Sequence, residues 1–166
     1  MILGMSFVTF TVVHVVISLI GIASGIAVLL GMLNDKKLEG ATALFLATTV
    51  LTSVTGFMFP FSQVLPSHVV GAISLVVLAV ALIAYYGRHL SGGWRSIYIV
   101  TATFALYLNV FVGVVQAFQK VSFLRPLAPT QAEAPFVVAQ LAVLVLFIVL
   151  GFLAVRNFYP DADAEA

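Results

Sequence analysis

Apolar residues fill five long runs: about Phe7 to Leu33, Ala41 to Phe59, Pro66 to Tyr86, Ser96 to Phe118 and Ala134 to Val155. Each comes close to the ~20 residues a helix needs to cross a bilayer. None alternates apolar with polar residues, and an open strand could not satisfy its backbone groups in hydrocarbon. Turn and charged residues separate the runs: Asn34-Asp35-Lys36-Lys37, then Pro60 to Pro66, Gly87 to Trp94, and the longer stretch from Lys120 to Glu133. The pattern predicts an all-α fold, a five-helix transmembrane bundle forming a single integral membrane domain over 1–166.

Helix-start signals sharpen two of these boundaries. Thr130-Gln131-Ala132-Glu133 fits a capping box, in which hydroxyl and carboxylate satisfy N–H groups that have no partner inside the helix. Ser67 is placed to cap the third helix. Met1 to Phe10 lacks the basic stretch of a signal peptide, and the apolar run behind it is too long for one, so it reads as a retained first span.

Composition agrees with the pattern and closes off several functions. The chain is 63% hydrophobic and 8% charged, against about 25% charged in a soluble domain. A formal net charge of +1 supplies no basic face for a nucleic-acid backbone, so nucleic acid is not expected as a partner. With no cysteine, disulfides, thiolate metal sites and a cysteine nucleophile are excluded, and a metal would need His, carboxylate or amide ligands.

Charge placement sets the expected orientation. Lys36, Lys37, Arg88, Arg95 and Arg156 fall on one side of the runs, against Lys120 and Arg125 on the other. Because cytoplasmic loops carry the excess of basic residues, the N-terminus is expected outside and the C-terminus inside, with Asp161, Asp163 and Glu165 in a cytoplasmic tail. Tyr85, Tyr86, Trp94, Tyr98 and Tyr159 lie near the inner boundary, where amphipathic rings favour the headgroup level.

Helices in lipid associate through small residues and hydrogen bonds. His14, Ser18, Gly21 and Gly25 stack on one face of the first helix, with Gly21 and Gly25 forming a GxxxG. Tyr98, Ala102, Ala105, Asn109, Gly113, Gln116 and Lys120 make a second stripe, and Thr48, Thr52 and Thr55 or Gly56 a third. Counted at ~1.5 Å per residue from the inner helix ends, His14, His68, Gln116, Gln140 and Asn109 gather towards the outer leaflet.

Polar groups inside spans are costly, which makes this layer the candidate site. One reading is structural: His14 donates across helices to Gln116 or Thr55, and His68 is wetted by headgroups. A second takes the two histidines as axial ligands of a b-type haem. A third is a quinone or lipid site, in which a histidine and a glutamine bind a headgroup while Phe57, Phe59, Phe61 and Phe111 line an apolar slot. Proton transport is disfavoured because no acidic residue lies inside a span.

Pro66-Ser67-His68-Val69-Val70-Gly71, Tyr107-Leu108-Asn109-Val110-Phe111, Val115-Gln116-Ala117-Phe118-Gln119-Lys120 and Leu127-Ala128-Pro129-Thr130-Gln131 resemble segments of a family of small, uncharacterised bacterial multi-pass membrane proteins. The resemblance covers the second half better than the first. It implies a bacterial plasma (inner) membrane location, with the polar stretch from Gln116 to Gln131 belonging to the type; it names no activity and carries over no functional residue.

With no acid, base or nucleophile set to assemble, the leading expectation is a non-enzymatic accessory subunit that packs against other membrane subunits or its own copies. The alternative is a cofactor- or lipid-binding protein using His14 and His68, with Asn109, Gln116 and Gln140 around them.

Overall fold

The computed structural model describes residues 2–60 and 66–160, and within them the fold is five long helices. They are α1 (Phe7–Leu33), α2 (Glu39–Gly56), α3 (Pro66–Leu82), α4 (Gly93–Lys120) and α5 (Ala134–Asn157). A π-helical turn, Ile83–Gly87, extends α3, and a short 3-10 turn, Arg125–Leu127, precedes α5. Four helices, counting α3 with its π turn, are long and apolar enough to cross a membrane. The helix α2 is present where the second run predicted it but stops at Gly56, and it is shorter and more polar. It carries Thr42, Thr48, Thr49, Thr52, Ser53 and Thr55.

The hydroxyls of Thr48, Thr52, Ser53 and Thr55 are tolerated because they bond to the helix itself. Thr48 Oγ1 donates to the Leu44 carbonyl at 2.6 Å, Thr52 to Thr48 at 2.9 Å and Ser53 to Thr49 at 3.0 Å. Ser24 of α1 does the same to Ile20 at 2.6 Å. Each bond spares the donor the several kcal/mol that an unsatisfied group costs in hydrocarbon.

Helices α1, α2, α3 and α4 form a four-cornered bundle in which each packs on the next and α4 returns to α1. This places α1 and α3 at opposite corners. The last helix, α5, stands outside, against α4 and α1. Small residues allow the close approach of α1: a Cβ at Gly25 would lie 2.6 Å from Leu106 Cδ1 and 2.8 Å from the Phe45 ring. The half of the bundle where α1 ends and α2 begins, here its C-terminal face, is solid. Phe45, Leu46, Leu78, Tyr98, Ile99 and Leu106 are all essentially inaccessible there.

Some expectations change. Tyr85 and Tyr98 are buried, packed ring to ring at 5.0 Å, so they face the protein interior rather than its surface; Tyr86 and Tyr159 are exposed. Thr130 and Glu133 do bond each other, Thr130 Oγ1 to the carboxylate at 2.8 Å and Thr130 N–H at 3.2 Å. Yet Glu133 is itself the residue before the helix, because Pro135 suits the first turn and lets α5 start three residues later than a box would place it. Ser67 lies inside the first turn of α3 rather than ahead of it. Phe61 and the tail residues Asp161, Asp163 and Glu165 fall outside the described residues.

Candidate functional site: a polar cavity at the N-terminal face

At the other end, where α1 begins and α2 connects to α3, the four-cornered bundle encloses a cavity of about 100 Å³. All four helices reach it: His14 from α1, Thr49 and Ser53 from α2, His68 and Ser74 from α3, and Asn109 from α4. The diagonal placement of α1 and α3 thus sets the two histidines across one space. Ser67, which is exposed, lies at its rim.

His14 is half-buried and fixed by α2. Its Nδ1 lies 2.7 Å from Thr55 Oγ1, and its ring meets Phe59 edge to face at 5.1 Å. The Thr55 hydroxyl hydrogen is directed to the Leu51 carbonyl at 2.6 Å, so Thr55 accepts from His14. Nδ1 therefore carries a proton, and in the neutral ring Nε2 is the acceptor.

His68 is 9% exposed and lies beside the Phe57 ring, centroids 5.7 Å apart. Gly71, one turn further along α3, lets Phe57 in: a Cβ there would be 3.1 Å from the ring. Asn109 Nδ2 and Thr49 Oγ1 are buried without a hydrogen-bond partner. Both would lie 3.2 Å from a Cβ at Gly21, so the two unsatisfied groups abut one glycine of α1. Ser53 Oγ lies 3.2 Å from Ser74 Oγ, tying α2 to α3 beside them.

The remaining expected site residues are elsewhere. Gln116 is exposed. At its level α4 turns Phe118 inward against Phe136 of α5, ring centroids 5.5 Å apart, and this contact claims the opposite face of the helix. Gln140 lies on α5, outside the four-cornered bundle, where its Nε2 donates to the Phe111 carbonyl at 3.2 Å. Phe57 lines the cavity, but Phe59 packs on α1 and Phe111 on Tyr107.

Thr49, Ser53 and Ser74 were not singled out by the polar-stripe reading. The signal exists: Thr49, Ser53 and Gly56 repeat the same spacing as Thr48, Thr52 and Thr55, displaced by one residue. His68, Gly71 and Ser74 recur every third residue.

The cavity discriminates among occupants by size. About 100 Å³ holds roughly three waters at ~30 Å³ each and approaches the ~150 Å³ that accepts a benzene ring. Cofactor pockets ordinarily start near ~300 Å³, above the space found between these histidines. No cluster of three or more His, Cys, Asp or Glu occurs among the described residues, so the donor set does not favour a protein-bound metal either. What the residues can do is hydrogen-bond a small polar group.

Taken together, the fold defines an all-helical bundle of membrane type with a polar cavity near one face. No family model, curated protein or solved structure matches the chain.

Proposed function

We propose that this is a bacterial plasma-membrane protein that binds the headgroup of a membrane-soluble molecule of the quinone class in the cavity between α1 and α4. In this reading all five helices cross the bilayer, with the N-terminus outside and the C-terminus cytoplasmic. The observation that carries it is the convergence of His14, His68 and Asn109 on one space within an otherwise apolar bundle. A quinone offers two carbonyl acceptors, one of them matched by the amide N–H of Asn109, which is buried without a partner. Its reduced form offers hydroxyl donors, matched by Nε2 of His14. The Phe57 ring beside His68 supplies a flat apolar wall, and the exposed rim at Ser67 is the exit for a hydrocarbon tail.

The accessory-subunit reading rested on small-residue faces. Gly21 and Gly25 meet α2 and α4 of the same chain, and Ala102 and Ala105 are buried in its core. Those faces therefore lend it no support.

The test is extraction of the protein purified in mild detergent, with quinone quantified by mass spectrometry. About one quinone per chain is expected, with binding weakened roughly tenfold or more in His68→Ala and in Asn109→Leu, since each ~1.4 kcal/mol of lost interaction is tenfold. Wild-type protein that retains none, and takes up no short-chain benzoquinone when offered it, would sink the proposal.

A further inference from the structure

A second, almost wholly apolar groove of about 220 Å³ lies between α4 and α5. Its walls run from Val100 to Tyr107 on α4 and from Leu144 to Phe152 on α5, which at ~1.5 Å per residue makes it about 10–12 Å long. It is shaped for a chain rather than a disc. Ile148 and Phe152 on its α5 wall are strongly exposed. At its base, a Cβ on Gly151 would lie 3.3 Å from Thr103 Cγ2, so the groove owes its depth to that glycine.

One end of the groove carries a charge. Arg156 stands one turn beyond Phe152, with its guanidinium 5.6 Å from the Phe152 ring centroid, and it is exposed. The neighbouring guanidinium, Arg95, is consumed by the carbonyls of Val155 and Phe158. Lys37–Glu39 is the only ion pair among the described residues, so Arg156 has no carboxylate there. Basic positions at the ends of membrane helices recruit anionic headgroups, and guanidinium matches phosphate with paired hydrogen bonds.

We infer that this groove and Arg156 together bind one anionic glycerophospholipid, an acyl chain lying along α4 and α5 and the headgroup phosphate meeting Arg156. The site is independent of the polar cavity. Its test is native mass spectrometry of the full chain taken from nanodiscs containing equal phosphatidylglycerol and phosphatidylcholine. Wild-type protein retains one phosphatidylglycerol, favoured about tenfold. Arg156→Gln, an exposed change that leaves the bundle intact, retains either lipid equally. Gly151→Val, which fills the base, retains neither, and Ile148→Trp fills the same groove from its exposed wall should the glycine variant fail to fold. A wild type that sheds all lipid, an Arg156→Gln protein that keeps the preference, or a folded filled-groove variant that keeps its lipid would each overturn the inference.

Discussion

Arg95 donates to the carbonyl of Phe158 at 2.6 Å, so the first turn of α4 caps the end of α5 sixty-three residues later in the chain. A second bond, to Val155 at 2.9 Å, uses the same nitrogen, and the guanidinium lies 4.1 Å from the Tyr159 ring centroid. The last carbonyls of a helix have no partner within it, and a cation there also meets the favourable end of the helix dipole. Of the four span-length helices, α5 is by far the least buried, and this latch adds to its packing on α4 and α1. Arg95→Leu should destabilise the protein by about 2 kcal/mol, the scale of a charge-assisted hydrogen bond. Thermal unfolding in detergent measures the loss, and hydrogen exchange should rise at the C-terminal turns of α5 before anywhere else. Unchanged exchange there would show that packing alone holds the helix.

The Thr55 contact fixes which nitrogen of His14 bears the proton. Imidazole ¹⁵N shifts should report the Nδ1–H tautomer for neutral His14. Thr55→Val removes the acceptor and should return the ring to the commoner Nε2–H form. Thr55→Ser, which keeps the oxygen, should leave the spectrum as it is.

Two glycines offer a paired measurement. Gly25 meets Leu106 and Phe45 well inside van der Waals distance of any added carbon, so Gly25→Val should cost about 1–3 kcal/mol by overpacking. Gly40, in the first turn of α2, has nothing within 4 Å of its Cβ position. Gly40→Ala should therefore stabilise the helix by about 0.5–1 kcal/mol through the entropy of the unfolded chain. Equal melting shifts for the two would contradict the close approach of α1 to α2 and α4.

Glu133 provides a pH dependence with a definite sign. The Thr130 hydroxyl, and then backbone N–H groups around it, hold its carboxyl below the ordinary value of 4.5. A carboxyl whose pKa is depressed by folding contributes stability above its unfolded pKa and loses it as pH falls through the folded one. Acidification below 4.5 should thus loosen the turn from Thr130 to Glu133, seen as lower protection of the Thr130 and Ala132 amides relative to their intrinsic exchange rates at that pH. Glu133→Gln should show that loosened turn at neutral pH and little further change on acidification.

Much of this architecture is legible in the sequence because helix length in a membrane is set by bilayer thickness. The first helix begins at Phe7, where Ser6 Oγ accepts from Thr9 N–H at 3.1 Å, and ends at Leu33, before the charged turn. Facing is harder to read. Tyr98 and Tyr159 both fall at the inner boundary by depth, yet one is sealed in the core and the other exposed, because depth says nothing about azimuth. Gln116 extends a stripe that is buried as far as Asn109, but the Phe118–Phe136 contact rotates the buried face away from it. His14 and His68 were legible as a pair only in depth; their meeting across one space depends on α1 and α3 occupying diagonal corners, which short loops do not specify. Thr49 and Ser53 lay one residue from the stripe that spacing favoured, and neighbouring stripes on a threonine-rich helix are distinguished only by their partners.

The packed half of the bundle has a consequence for traffic. Tyr98, Phe45, Leu78 and Leu106 are tightly buried in the half of the bundle away from the polar space, so the side chains packed there set that space at one end of the bundle. To pass cargo onward, this chain would have to unseat a layer of aromatic and aliphatic side chains that ranks among its most tightly buried parts.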